Sequence, residues 1–147
     1  MFQNKKKSSY TVIIGCGRLG ANLAGTLSDE GEDILIMDRS KDAFRKLPTS
    51  FGGLAVEGDG TDFICLKEAQ IEKAATIVAV TNHDNINIMI AQIAKELFRT
   101  ECVIARLYDP ERECVYREFG VDTICPAVLS AKEIDKLLSK RMMGGRP

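Results

Sequence analysis

Tyr10-Thr-Val-Ile-Ile-Gly15-Cys-Gly17-Arg-Leu-Gly20 decides the reading of this chain. Thr11 to Ile14 form a β-branched run that leads straight into a G-x-G-x-x-G turn. Leu19, Leu23 and Leu27 follow at helical spacing. A strand, a glycine turn and a helix in that order make a phosphate cradle. Gly15 permits the tight turn, Gly17 lets backbone approach a pyrophosphate, and Gly20 lets the helix lie close to the strand. An anion there meets free N–H groups and the positive end of the helix dipole.

The rest of the chain alternates strand and helix signals. Strands are expected at Tyr10–Ile14, Asp33–Met37, Leu54–Val56, Ala75–Val80, Cys102–Leu107 and Val121–Ile124. Helices are expected at Arg18–Glu30, Ser40–Leu47, Asp62–Ala69, Asp84–Phe98, Pro110–Phe119 and Val128–Met142. The run Ala-Thr-Ile-Val-Ala-Val at Ala75–Val80 carries no polar alternation, as in a strand buried on both faces of a parallel sheet. Regular β-α alternation implies right-handed crossovers and one parallel sheet. With the glycine fingerprint on its first turn, the predicted fold is α/β: a doubly wound Rossmann-type sheet of order 3-2-1-4-5-6 with a C-terminal amphipathic helix.

Chemistry-bearing residues cluster at the ends of those strands. Asp38 closes the second strand, where an acid accepts both hydroxyls of an adenosine ribose. Arg39 beside it can stack on adenine or meet a 2′-phosphate, but Asp38 would repel that phosphate and disfavours NADP. Gly58-Asp59-Gly60-Thr61-Asp62 follows the third strand; Asp59 and Thr61 suit either an adenine edge or a helix cap. Thr81-Asn82-His83-Asp84 follows the fourth strand, across the switch point where ligands of such sheets bind. Thr81 there suits phosphate or ribose, and Asp84 reads as a helix N-cap. Arg106 lies in a strand expected to be buried, where a charge needs a paired anion.

Bulk properties exclude several classes. The 147 residues suit one domain, and a net charge of −1 gives no basic field for nucleic acid or membrane. No apolar run approaches the roughly 20 residues of a membrane span, and no apolar stretch follows the N-terminal lysines as secretion would require. Five dispersed cysteines and one histidine fit a reducing compartment and no metal site. Lys5–Lys7 and Lys140, Arg141 and Arg146 read as solubilising ends. No Tyr-x-x-x-Lys pair, Walker sequence or nucleophile–histidine motif is present, and the sequence as given leaves no residues for a substrate domain. A small NAD-dependent oxidoreductase, or a free-standing nucleotide- or redox-sensing module, stands as the alternative to the reading below.

The combination of Gly15-Cys-Gly17-Arg18-Leu-Gly20, Asp38, Gly58-Asp59-Gly60-Thr61-Asp62, Thr81 with Asp84 and Asn87, Ile104-Ala-Arg106 and Gly120-Val-Asp122 resembles one family. It is the RCK or KTN (TrkA-N) nucleotide-binding domain of Trk/Ktr-type potassium-uptake regulators. Gly60 stands where that family commonly has alanine, and its usual C-terminal ligand-binding domain has no counterpart in the sequence given. The resemblance implies a non-enzymatic cytoplasmic regulatory subunit that binds NAD(H) or ATP, ADP or AMP. It also implies homodimers or rings beneath a membrane potassium-transport subunit. The candidate ligand-contacting residues are Gly15, Cys16, Gly17, Arg18, Leu19, Gly20, Asp38, Arg39, Asp59, Gly60, Thr61, Thr81, Asn82 and Arg106. The expected division is a basic tail over 1–9, the nucleotide-binding domain over 10–126, and a dimerisation helix and tail over 127–147. Leu129, Ala131, Ile134, Leu137, Leu138 and Met142 give that last helix its apolar stripe.

Overall fold

The computed structural model describes residues 10–144; the basic tail expected at 1–9 and the last residues, Arg146 among them, lie outside the described part. Six strands form one parallel sheet: β1 (Thr11–Ile14), β2 (Ile34–Asp38), β3 (Leu54–Glu57), β4 (Thr76–Ala79), β5 (Cys102–Arg106) and β6 (Asp122–Ile124). Their order is β3-β2-β1-β4-β5-β6, as the glycine turn and the alternation predict. The helices are α1 (Arg18–Asp29), α2 (Phe63–Glu68), α3 (Asp84–Glu96), α4 (Glu113–Glu118) and α5 (Pro126–Gly144).

Register sends alternate side chains to two cores. Ile13 pairs with Ile36 and with Val78, and these three pack with Ala21 and Ala24 of α1. Val12 and Ile14 point the other way, into a larger core with Leu66 of α2, Ile90 of α3 and Tyr116 of α4. The chain changes faces between β3 and β4. The carboxyl ends of β1 and β4 therefore part at the switch point, and a crevice opens there.

Three expected helices differ. Ser40–Leu47 is a 3₁₀ segment, Lys41–Lys46, because Pro48 stops it before a stable α-turn accumulates. Pro110–Phe119 divides into a 3₁₀ turn at Pro110–Arg112, capped by the Asp109 carboxylate on the Glu111 N–H at 3.0 Å, and then α4. The last helix begins at Pro126 rather than Val128, since proline fits a helix's first turn. No residue of α5 is buried, and from Leu129 to Gly144 every one is exposed.

Candidate functional site

The three fingerprint glycines do different work. Gly15 has φ +112°, and a Cβ there would lie 2.7 Å from the Val80 carbonyl carbon. A Cβ on Gly20 would stand 1.9 Å from the Gly15 carbonyl oxygen. Both are glycine because the protein leaves no room. A Cβ on Gly17 would meet only Asn82 Oδ1, at 3.9 Å. Its space is open, so the fold alone does not require glycine there. Gly17 is also the N-cap of α1, and no side chain caps that helix. The first-turn N–H groups thus have no partner within the helix and face an anion's place.

Asp38 is tied to this turn. Its Oδ2 accepts the Cys16 N–H at 2.8 Å and its Oδ1 accepts the Ser40 N–H at 2.8 Å. The glycine turn thereby orients the acid expected to read a ribose. Asp59 Oδ1 accepts both the Thr61 hydroxyl, at 2.7 Å, and the Thr61 N–H, at 2.9 Å. The Thr61 hydroxyl, then its N–H, hold the Asp59 carboxyl below the ordinary carboxylate range, with Arg39 adding to the effect against burial. The capping role that the sequence left open falls to Asp62, whose carboxylate accepts the Ile64 N–H at 2.9 Å. Asp59 is left at the crevice.

These groups border a cleft of about 430 Å³. Gly15, Gly17, Asp38, Arg39, Asp59, Gly60, Thr61, Thr81 and Asn82 line it, with His83 at one side. Ile14, Met37, Val80, Ile86, Met89 and Ile90 supply the apolar lining. The sequence did not single out the α3 residues Ile86, Met89 and Ile90 as ligand-facing; their apolar periodicity reads simply as core.

Five of the sequence candidates lie outside this lining. The Cys16 side chain is buried beneath the turn, where Sγ donates to Ala43 O at 3.4 Å. Burial first, then Asp38, pushes its thiol pKa up, against a smaller opposing effect from Lys46. Arg18 is exposed and borders a separate surface hollow with Asn22 and Lys46. Leu19 packs against the α1-side core, and Gly20 is buried at the close approach already described. Arg106 is buried, as expected, but its partners are not a carboxylate. Its Nη2 donates to Thr81 O and to Asn82 Oδ1, the latter at 3.1 Å, and its guanidinium carbon lies 5.0 Å from the Tyr108 ring centroid. The loop that follows β4 turns two oxygens toward Nη2, while the buried Nε has no hydrogen-bond partner among the described residues.

Asp84 also departs from its expected role. His83 occupies the N-cap of α3 without a side-chain cap, and the Asp84 carboxylate instead accepts the Tyr108 N–H at 2.9 Å and the Asp109 N–H at 3.2 Å. It fastens the loop after β5 onto α3. Asn87, fully buried, is the site residue that the candidate set omitted. Its visible signals were its place in the motif combination with Thr81 and Asp84 and a polar side chain on the buried stripe of α3, with Ile90, Ala91 and Ala94.

Residues 11–126, covering every strand of this sheet, match the TrkA-N domain. The chain belongs to the TrkA-N domain family. The Trk system potassium uptake protein TrkA of Streptomyces coelicolor is 41% identical over 136 residues, covering 92% of this chain and 60% of the relative. A TrkA homolog from Pyrococcus abyssi is 34% identical over 109 residues, covering 74% of this chain and 48% of the relative. The chain thus spans about half to three-fifths of these relatives. The crystal structure of GsuK bound to ADP superposes with a TM-score of 0.77 at 25% identity, covering 93% of this chain and 35% of the GsuK chain. Among the described residues of this TrkA-N domain, no helix is long and apolar enough to cross a membrane, and no group of side chains is arranged to hold a metal ion.

Proposed function

We propose that the cleft binds an adenine nucleotide, NAD(H) or ATP, ADP or AMP, and that the protein thereby controls potassium uptake as a regulatory subunit rather than an enzyme. The observation that carries this is the Asp38 carboxylate. It ends β2, borders the cleft and is held by the N–H of Cys16 within the glycine turn. A ribose on Asp38 then has its phosphates over Gly17 and the start of α1. The TrkA name of the relatives and the ADP of GsuK support the same reading. In it the protein is cytoplasmic and works at the inner face of the membrane through a potassium-transport subunit. Residues 10–126 form the nucleotide-binding unit, and 127–147 a dimerisation helix and tail that builds homodimers or rings. Arg106 serves the phosphate end through Asn82, which it holds. The backbone of Cys16, Arg18, Leu19 and Gly20 serves the same end at the helix start.

Isothermal titration with NAD and with ADP tests the site. Asp38→Ala should weaken binding by about 1.5–3 kcal/mol, the range for a hydrogen bond to a charged group. Equal affinity in variant and parent would remove Asp38 from the site.

A further inference from the structure

The carboxamide of Asn87 uses its whole hydrogen-bonding capacity at the rim of the cleft. Its Oδ1 accepts the Thr81 N–H at 2.9 Å and the Thr81 hydroxyl at 2.6 Å. Its Nδ2 donates to Thr81 O and to Arg106 O, each at 3.1 Å. The orientation of the amide is not open to a flip. A backbone N–H only donates and the two carbonyls only accept, so Oδ1 and Nδ2 each have one possible place. The proton between Thr81 Oγ1 and Asn87 Oδ1 must then come from threonine. Thr81 has no other hydroxyl proton, and the His83 carbonyl at 3.3 Å is a poorer competitor for it; the His83 N–H donates to Oγ1 at 3.3 Å and leaves one of its two lone pairs for a further donor.

We propose that Asn87 is a positioning residue that makes the Thr81 hydroxyl an obligate hydrogen-bond acceptor toward the cleft. The ligand group at Thr81 is then a donor, a sugar hydroxyl or an amide N–H, and not a phosphate oxygen. This rests on the nucleotide reading above and narrows it to a dinucleotide. In the strand order β2-β1-β4, Asp38 and Thr81 flank the glycine turn, one strand to either side. Adjacent strands lie about 4.8 Å apart, so the two sites are separated by roughly 10 Å. With one ribose on Asp38 and the pyrophosphate at the turn of β1, the donor that reaches Thr81 belongs to the second nucleoside. ADP ends before it.

Titration of NAD and ADP into the parent, Thr81→Val, Asn87→Ala and the double variant tests this. Thr81→Val keeps the side-chain shape and removes the acceptor. It should weaken NAD about threefold to tenfold, the range for one hydrogen bond, and leave ADP within twofold. Thr81→Ser should restore NAD binding. Asn87→Ala should weaken NAD selectively, and the double variant should be no weaker than the worse single one, because Asn87 acts through Thr81. If Asn87→Ala does not fold, shown by loss of its melting transition, the Thr81 pair alone decides. Unchanged NAD affinity in Thr81→Val, equal losses of NAD and ADP, or multiplying losses in the double variant would overturn the proposal. A parent that binds NAD and ADP alike through Asp38 would also overturn it while leaving the nucleotide site standing. A parent that binds neither would overturn both.

Discussion

At the turn between β1 and α1, residues from two other segments meet: Asp38 at the end of β2 grips Cys16, and after β4 the Val80 carbonyl abuts Gly15 and Asn82 borders Gly17. Along α5, 19 residues run without one being buried. The first region is completed by its own chain. The second has an apolar stripe that the other described residues leave bare, with Ile134 58%, Leu137 60% and Leu138 56% exposed. Most helical stability in proteins comes from covering such a face. The contrast separates what this sheet needs in order to exist from what the proposed dimer would supply, and each side of it can be broken by substitution.

The largest effect belongs to Gly20→Ala. The added methyl would stand 1.9 Å from the Gly15 carbonyl oxygen, so β1 and α1 must separate. We expect a loss of about 3 kcal/mol in denaturant unfolding, the upper part of the overpacking range. Gly17→Ala supplies the control: with φ −82° and open space around it, it should melt like the parent yet bind NAD about tenfold more weakly. Matching melting losses in both variants would show that the turn is a purely structural device. Next comes the double change Ile134→Asp and Leu138→Asp, which should convert dimers to monomers that still bind nucleotide. Sedimentation that finds the dimer intact would place the interface elsewhere.

The smallest effect lies within the cleft, in Thr61→Val. It removes the hydroxyl that most strongly lowers the Asp59 pKa, so the Asp59 carboxyl should titrate closer to its ordinary range in a carbon-detected NMR titration. A depressed folded-state pKa stabilises the fold above the unfolded value and loses that contribution as pH falls through the folded one. Asp59 therefore supports the fold at neutral pH and stops doing so in acid. In Thr61→Val, part of that acid sensitivity should vanish. An unmoved Asp59 titration would assign the depression to the Thr61 N–H and Arg39 instead.

The sheet was readable because its determinants are local. A glycine turn after a β-branched run, an acid closing the next strand and repeated β-α alternation fix the strand order without any tertiary knowledge. The polar half of the cleft was readable for the same reason, since ligands of such sheets meet strand ends. The roles within the β4–β5 rim were not. Arg106 looks in sequence like a charge seeking an anion; only folding brings Thr81 O and Asn82 Oδ1 to it. Asp84 resembles a cap because it precedes an apolar helix, but Tyr108 and Asp109, 24 and 25 residues away, claim its carboxylate. Asn87 contacts residues 6 and 19 positions off, and no short-range pattern encodes that pairing.

The position of β1 between β2 and β4 has a consequence for synthesis. The fingerprint turn is made before either of the strands that flank β1, and the second of them arrives only when β4 has been translated. At 5–20 residues per second, that interval is on the order of several seconds. During it, Gly15 lacks the Val80 carbonyl it rests against, and the cleft lacks the wall that Thr81 and Asn82 provide. A nascent chain therefore displays its glycine motif well before it owns a receptor, and ligand capture waits on the middle of the sequence rather than on its beginning.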